Sequence, residues 1–510
     1  MKRRLFALAL ALLLAVSLPV SALAATWYLE NGDITIRATE DGQYVSQGDK
    51  QDVKDDDTII SQKDSSTSTD RVIKVIAEKD ATANVTLDGV NINTDANRRS
   101  DTAFRTEGEG DVNIELDGSN TLRTGYFSYA AGLNKGNSGT LTINDEDTNG
   151  TLEATGGYGG AGIGGGRDSS TSDITITGGT ITANGSFGGA GIGGGHHGSG
   201  SNITITGGDV TANGSGYASG IGGSLYGSGS DITISGGKVK ATGGEAASGI
   251  GGGNQGHGSN IEISGGEVEA TGGALGAGIG GVNGRNGSDI NISGGKVTAK
   301  GGMSGAGIGG GCRGTGSSIT ISGDAQVKAQ GGTEHNKYKE GAGAGIGNGG
   351  TSFEDEDEND ILVDGAEVEP DTSGLTENGR LEYYAPGADI EKDAPEKVIE
   401  NKPEPGAPAP VYHVTDKDGN QISYTAAREG GVLTIRVDAA YAQLTLLAPQ
   451  MLTAQGVETV VFVTSGATSA FSPAALTAYA AEAPFVLTHD GEAVTFTAGE
   501  TDLASLLIQA

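Results

Sequence analysis

Three groups of residues in this chain have types and spacing that could do chemistry. Gly189-Ala-Gly-Ile-Gly-Gly194 fits G-x-G-x-x-G, the loop that lets phosphate approach backbone amides. His196-His197 follows directly, and His257 sits in a similar loop, so imidazole is available to a metal. Tyr129, Tyr158, Phe187 and Tyr217 recur at nearly even intervals, although Phe, Trp and Tyr make up only 5% of residues. Each precedes a Leu or Ile by four or five residues, so the rings could form a stripe on which a sugar chain stacks. Plain corner packing of the four rings is the competing reading.

The spacing of the glycine motif decides its meaning. Its central Ile recurs with a constant step, at Ile163, Ile192, Ile221, Ile250, Ile279 and Ile308. A weaker copy at Leu133 precedes the series, and Ile346 follows after a nine-residue insertion around "TEHNKYKEG". A second series, Ile174, Ile203, Ile232, Ile261 and Ile290, keeps the same step. A dinucleotide fold needs one glycine loop followed by a helix, and here no helix pattern follows any copy. Each copy instead holds three short alternating runs, such as Ile203-Thr-Ile205, Val210-Thr-Ala212 and Ala218-Ser-Gly-Ile221. Alternation means one buried and one exposed face, and a fixed period means a solenoid. The expected fold is all-β: a right-handed parallel β-helix of 29-residue coils, the hand following from parallel crossovers. Glycine then serves sharp corners and close stacking.

The exposed positions give a test of this register. Asp209, Lys238, Glu267 and Lys296 form one column of alternating sign, and Lys240 and Glu269 pair in the next. Asp173, Asn202, Asp231, Asn260 and Asp289 alternate acid with amide, which suits side-chain capping at the start of each coil. "GSGSDITIS" also resembles a calcium-binding nonapeptide, but those motifs recur every nine residues, a much shorter period than the one here. Calcium therefore ranks behind capping. The positions matching His196-His197 in other coils are Leu225-Tyr226, Asn283 and Cys312-Arg313, so no metal-ligand set recurs, and these histidines read as solvated loop residues. No catalytic constellation stands out. Asp95, Arg98, Arg99, Asp101 and Arg105 form the densest mixed-charge group.

Five segments are expected. Residues 1–25 read as a signal peptide: Lys2, Arg3 and Arg4, an apolar run from Leu5 to about Leu18, and Ala22-Leu-Ala24 as the small-x-small cleavage site. Residues 26–130 are irregular first coils with a cap, 131–366 regular repeats, 367–410 a Pro-rich acidic linker, and 411–510 a small α+β domain. "ILVDGAEV" is the candidate closing strand pair, and "FVLTHDGEAVTFT" a hairpin. Cleavage takes the formal charge from −33 to −36, which opposes nucleic-acid binding. No later apolar run is long enough to span a bilayer. A secreted or cell-surface monomer is expected, and the single Cys312 provides no internal disulfide.

"NVTLDGVNI", "DVNIELDGSNTL", "GTLTINDEDTNGTLEATGG" and the repeated "GAGIGGG…SNITITGG" resemble the carbohydrate-binding, pectate-lyase-like β-helix proteins secreted by clostridia and gut Firmicutes. The resemblance covers roughly residues 70–365. It implies non-catalytic binding of plant cell-wall polysaccharide, with calcium, although that family's calcium-site residues have no one-to-one match here. A surface adhesin or spacer without a sugar site is the alternative reading, and a polysaccharide lyase the third. Tyr129, Tyr158, Phe187 and Tyr217 are the candidate carbohydrate-binding residues, with no catalytic or metal residues assigned.

Overall fold

A computed structural model describes residues 25–94, 102–334, 339–354, 360–400 and, with short breaks, 412–508. The expected signal segment lies outside the described residues, apart from Ala25. The chain divides into two compact units, one holding the coil stack and the other the C-terminal domain.

One coil shows how sequence becomes structure. Gly200–Ile205, Asp209–Asn213 and Ile221–Gly222 are its three strands, each in a different sheet. Ile and Val fit a half-buried pleated surface. Ile203, Ile205, Val210, Ala212 and Ile221 point inward and are fully buried, while Thr204 and Thr211 on the alternate positions stay partly exposed. Each strand pairs in parallel with its counterpart one period further on: Ile203 with Ile232, Val210 with Val239, Ile221 with Ile250. The three sheets have 11, 11 and 13 strands, and all but the terminal pieces of the stack are parallel. The expected parallel β-helix is therefore the observed fold.

The corner ladder runs Leu133, Ile163, Ile192, Ile221, Ile250, Ile279, Ile308 and Ile346 in unbroken register. It continues back through Phe104 and Ile73 to Ile34, so the irregular first coils share the same core. The insertion before Ile346 leaves the pairing with Ile308 intact, because a loop can lengthen outside the sheet without moving the rung.

The Asp/Asn column has a backbone cause. Asp173, Asn202, Asp231, Asn260 and Asp289 have φ of 59°, 48°, 53°, 50° and 54°. They sit where strand pairing skips one residue, between Ser201 and Ile203 in that coil. Asn and Asp tolerate this left-handed conformation better than other side chains. Asn202 Nδ2 donates to Asp173 Oδ1, and Asn260 Nδ2 donates to Asp231 Oδ1 at 2.5 Å. Alternating acid with amide gives every such donor an acceptor on the preceding coil.

Both ends of the stack are finished. Gly42–Gln47 and Lys50–Lys54 add as antiparallel strands at one edge, and the outermost carries Lys50 and Lys54 on a fully exposed strand. Charged edges of this kind discourage pairing with other chains. At the other end the Glu367 carboxylate accepts from Gly345 N at 2.7 Å and Ile346 N at 3.2 Å, where the ladder stops. Asp360–Val363 pairs with Thr351–Glu354 in an antiparallel hairpin. The expected closing pair within "ILVDGAEV" is thus split: its first half pairs backwards, and Glu367 serves as a side-chain cap.

Part of the expected linker is ordered. Arg380–Tyr384 and Lys397–Glu400 are strands at the end of one sheet of the stack. Tyr383, Tyr384 and Ile390 are buried, and Gln330 Nε2 donates to the carbonyls of Ala385 and Ala388, both at 2.8 Å. The Pro-rich composition around these residues masks the apolar ones that hold them to the last coil. Residues 401–411 lie outside the described residues.

The C-terminal domain is richer in strand than the α+β expectation. It has two five-stranded sheets, and its described α-helices are Pro449–Ala454 and Pro473–Leu476. The Phe485–Asp490 and Val494–Ala498 hairpin is present. Leu444, Val460, Phe462, Phe471 and Phe496 centre its core. His489 is fully buried there, bonded to Thr464 Oγ1 at 3.1 Å and Ser469 Oγ at 2.9 Å, and burial lowers its pKa. Both ring nitrogens are thereby used in packing. Among the described residues no helix is long and apolar enough to cross a membrane.

The charge column pairs as its register requires: Asp209 with Lys238, Lys238 with Glu267, Glu267 with Lys296. The neighbouring Lys240 Nζ lies 3.6 Å from Glu269 Oε2. Lys238→Glu should place three like charges in successive rungs and lower stability by roughly 0.5–1 kcal/mol at low salt. Chemical denaturation at two salt concentrations measures it; an unchanged midpoint at low salt would contradict the electrostatic role of the column.

Candidate functional site

The glycine motif comes first, because it sets the geometry of the corner beside it. Gly193 has φ +139°, and a Cβ there would lie 2.1 Å from Gly222 O of the next coil. A Cβ on Gly189 would lie 2.0 Å from Gly160 O of the preceding coil. The amides of this loop are also already engaged: Gly191 N, Ile192 N and Gly194 N donate to Ser219, Gly220 and Gly222 carbonyls. They hold coils together, so the loop has no phosphate cradle.

The aromatic residues gather at the loop just before this corner. Tyr126–Ser128 is a single 3-10 turn, and Tyr129 follows it with φ 61°. Tyr158 N donates to Tyr126 O at 2.9 Å, which registers the next coil's loop on that turn. The Tyr158 and Phe187 rings stack, with centroids 4.1 Å apart and planes 24° apart. Tyr126 and Tyr129 meet Tyr158 edge-on at 5.1 and 5.9 Å. Tyr126, Phe127, Tyr129 and Phe187 are exposed, and Tyr158 is half-buried between them. The Arg167 guanidinium lies over Tyr129 and Tyr158 at 5.4 and 5.5 Å.

This arrangement differs from a flat linear platform. Successive loops are about one rung apart, so rings standing out from them face one another along the stack. Tyr158 and Phe187 therefore cover one face of each other and leave edges and one outer face free. Tyr217 is exposed too, but lies one residue further along its loop, in the Gly188 rather than the Phe187 register. It stands apart from the stacked pair. Three of the four sequence-expected residues form one cluster, and Tyr217 lies beside it.

A second group adjoins the first. His196 N donates to Gly159 O at 2.7 Å, and its ring lies so close to Gly188 that a Cβ there would meet Cδ2 at 2.5 Å. The His196 and His197 rings are 4.0 Å apart, and His197 Nδ1 lies 2.8 Å from Asp168 Oδ1. Burial, and the charges of His197 and Arg167, lower the His196 pKa. Nothing within the histidine loop points to Asp168, yet Arg167-Asp168 stands one full period before His196-His197. The period itself is the signal. Tyr226, in the Asp168–His197 column, extends the group with its ring 5.9 Å from His197. His257 is separate: its Nδ1 accepts from Asn286 N at 3.3 Å, as a coil-to-coil bond.

Of the mixed-charge group, Asp95, Arg98, Arg99 and Asp101 lie outside the described residues. Arg105 pairs with Glu107 at 3.2 Å. Cys312 is buried, and burial pushes its thiol up to about 12, which removes it as a nucleophile at neutral pH. Carboxylate oxygens of Glu115, Asp145 and Asp147 converge within 4.8 Å, an all-oxygen set of the kind calcium prefers. Burial foremost, then the neighbouring acids, raise both Glu115 and Asp117.

A family model described as Beta helix repeat matches residues 148–167, 174–196, 203–225, 232–254, 261–285, 290–312 and 319–350. These segments fall on the coils already described, so the repeat match and the coil stack agree that this part of the chain is a β-helix of repeats. No curated protein and no solved structure matches it.

The acidic group gives a signed pH dependence. Glu115 and Asp117 titrate above their unfolded values, so the folded chain holds protons more readily. Each carboxyl's contribution to stability therefore grows as pH falls from above its folded pKa through the carboxylate range. Glu115→Gln should raise the melting temperature at pH ~7 and show a smaller gain than the parent on acidification to about pH 4.5. Parallel melting curves for parent and variant across that range would contradict the assignment.

Proposed function

We propose that this is a secreted β-helix protein that binds polysaccharide without cleaving it, through the aromatic cluster of Tyr126, Tyr129, Tyr158 and Phe187. The observation that carries this reading is a contiguous surface group of rings, three exposed and Tyr158 half-buried, in a chain with 5% aromatic residues. A protein with so few rings places four on one surface corner, where they contribute nothing to the buried Ile ladder. Exposed apolar groups of this kind mark binding sites more often than chance contacts do. The free edges and the outer face of Phe187 offer apolar area to a sugar ring, and Arg167 offers hydrogen bonds to hydroxyl groups beside it.

The formal charge of −33 favours a neutral glycan. An acidic plant cell-wall glycan would need calcium as a bridge. The apolar N-terminal segment supports export, and the protein acts as a monomer on this reading. The spacer reading has an observation in its favour as well: Tyr158 and Phe187 cover one face of each other, as rings that only pack a corner would.

A glycan array on the mature chain, with and without calcium, separates the two. With a bound glycan in hand, Tyr158→Ala combined with Phe187→Ala should weaken binding by ~10- to 100-fold, at about 1–2 kcal/mol per lost contact with partial compensation. Circular dichroism should be unchanged, because the ladder is untouched. Unaltered affinity would remove the cluster as the site, and loss of the fold would favour the spacer.

A further inference from the structure

We propose that Asp168, His196 and His197 form a binding site for a borderline-soft divalent metal ion of the zinc type. One ring nitrogen from each histidine and one Asp168 carboxylate oxygen all lie within 4.8 Å of one another. Ligands at ~2.0–2.1 Å from zinc in a tetrahedron stand about 3.4 Å apart, so a small closure of this group reaches metal-binding distances. One of its spacings, His197 Nδ1 to Asp168 Oδ1, is already 2.8 Å.

Several features build the site rather than leave it to chance. Adjacent residues on an extended strand point to opposite faces. His197 has φ 67°, and this left-handed turn brings its ring beside that of His196, 4.0 Å away. Asp168 comes from the preceding coil, held by its own amide bond to His196 O at 2.7 Å. The site is therefore pinned by the coil register and not by one mobile loop. His196 Nδ1 is buried and has no hydrogen-bond partner, so the ring has unused bonding capacity in a polar group whose burial is otherwise uncompensated. Arg167 Nε lies 3.5 Å from Asp168 Oδ2, the oxygen not facing His197. Its guanidinium rests over Tyr129 and Tyr158, which orients the carboxylate from outside the site. Two imidazoles and one carboxylate select zinc, nickel or copper over calcium and magnesium. Three protein ligands leave a fourth position for water or an external donor.

The inference does not depend on polysaccharide binding, and its test reads the metal alone. Zinc chloride is titrated calorimetrically into the full mature chain with calcium in excess, and cobalt is used in parallel for its tetrahedral absorption bands. One equivalent of zinc should bind. His196→Ala and His197→Ala should each weaken it by about tenfold or more, and Asp168→Asn should weaken it measurably. His257→Ala should leave it unchanged. Circular dichroism of each variant checks that the coils persist, which loop positions outside the Ile ladder should permit. No zinc binding, equal binding in all variants, or binding indifferent to Asp168→Asn would overturn the three-ligand site.

Discussion

Successive coils lie so close that a side chain cannot fit between their backbones at the corner. Parallel strands stack about 4.8 Å apart, and at Gly189 and Gly193 a single added carbon would fall 2.0 and 2.1 Å from carbonyl oxygens of the preceding and following coils. Only glycine permits that approach. Because the corner closes, Ile192 can sit between Ile163 and Ile221 with its amide bonded across the gap. The buried ladder, the two broader sheets and the left-handed Asp/Asn column all inherit their register from this contact. Each coil rests on its neighbours alone, as in other solenoids, so a local fault is felt on both sides.

The same constraint explains how a surface site can form from residues far apart in sequence. The fixed period of the coils places Asp168 over His197 and Arg167 over His196. Loops that protrude from adjacent rungs must face each other, so Tyr158 and Phe187 stack instead of spreading out. The corner thus carries an aromatic cluster and an imidazole–carboxylate group side by side, linked by Arg167. Neither contributes to the hydrophobic core, and both occur in the early coils. Later coils carry Leu275 and Ser304, also with positive φ, in the corresponding loop. A left-handed residue recurs in several of these loops, at a position that shifts by one residue, whereas the rings are local.

The coils are legible in the sequence because a strict period fixes both which residues are inside and which residues touch. The place of Ile192 and the Lys238 column follow from counting alone. The Asp/Asn column reads as capping, and the structure adds the reason: a left-handed bulge repeated in each coil. Ring orientation is not legible, since spacing specifies which loops are neighbours but not how their side chains stand. Arg380–Tyr384 is hidden by the prolines and charges around it. Asp168 is legible only when the loop one coil earlier is set against the histidines, because the glycine loop that holds them contains no acid of its own.

Two glycines separate the close-approach constraint from ordinary backbone strain. Gly189, whose φ lies outside the left-handed region, would drive a Cβ to 2.0 Å from Gly160 O of the preceding coil, while Gly284 (φ +74°) faces open space with nothing within 4 Å. Denaturant unfolding of the two alanine variants compares them directly. Gly284→Ala should lose only the cost of a left-handed alanine, ~1 kcal/mol, whereas Gly189→Ala, with no such strain, should lose several kcal/mol, with faster amide exchange in the coils on either side. Equal losses for the two variants would contradict the claim that the fold depends on glycine-to-backbone stacking at the corner.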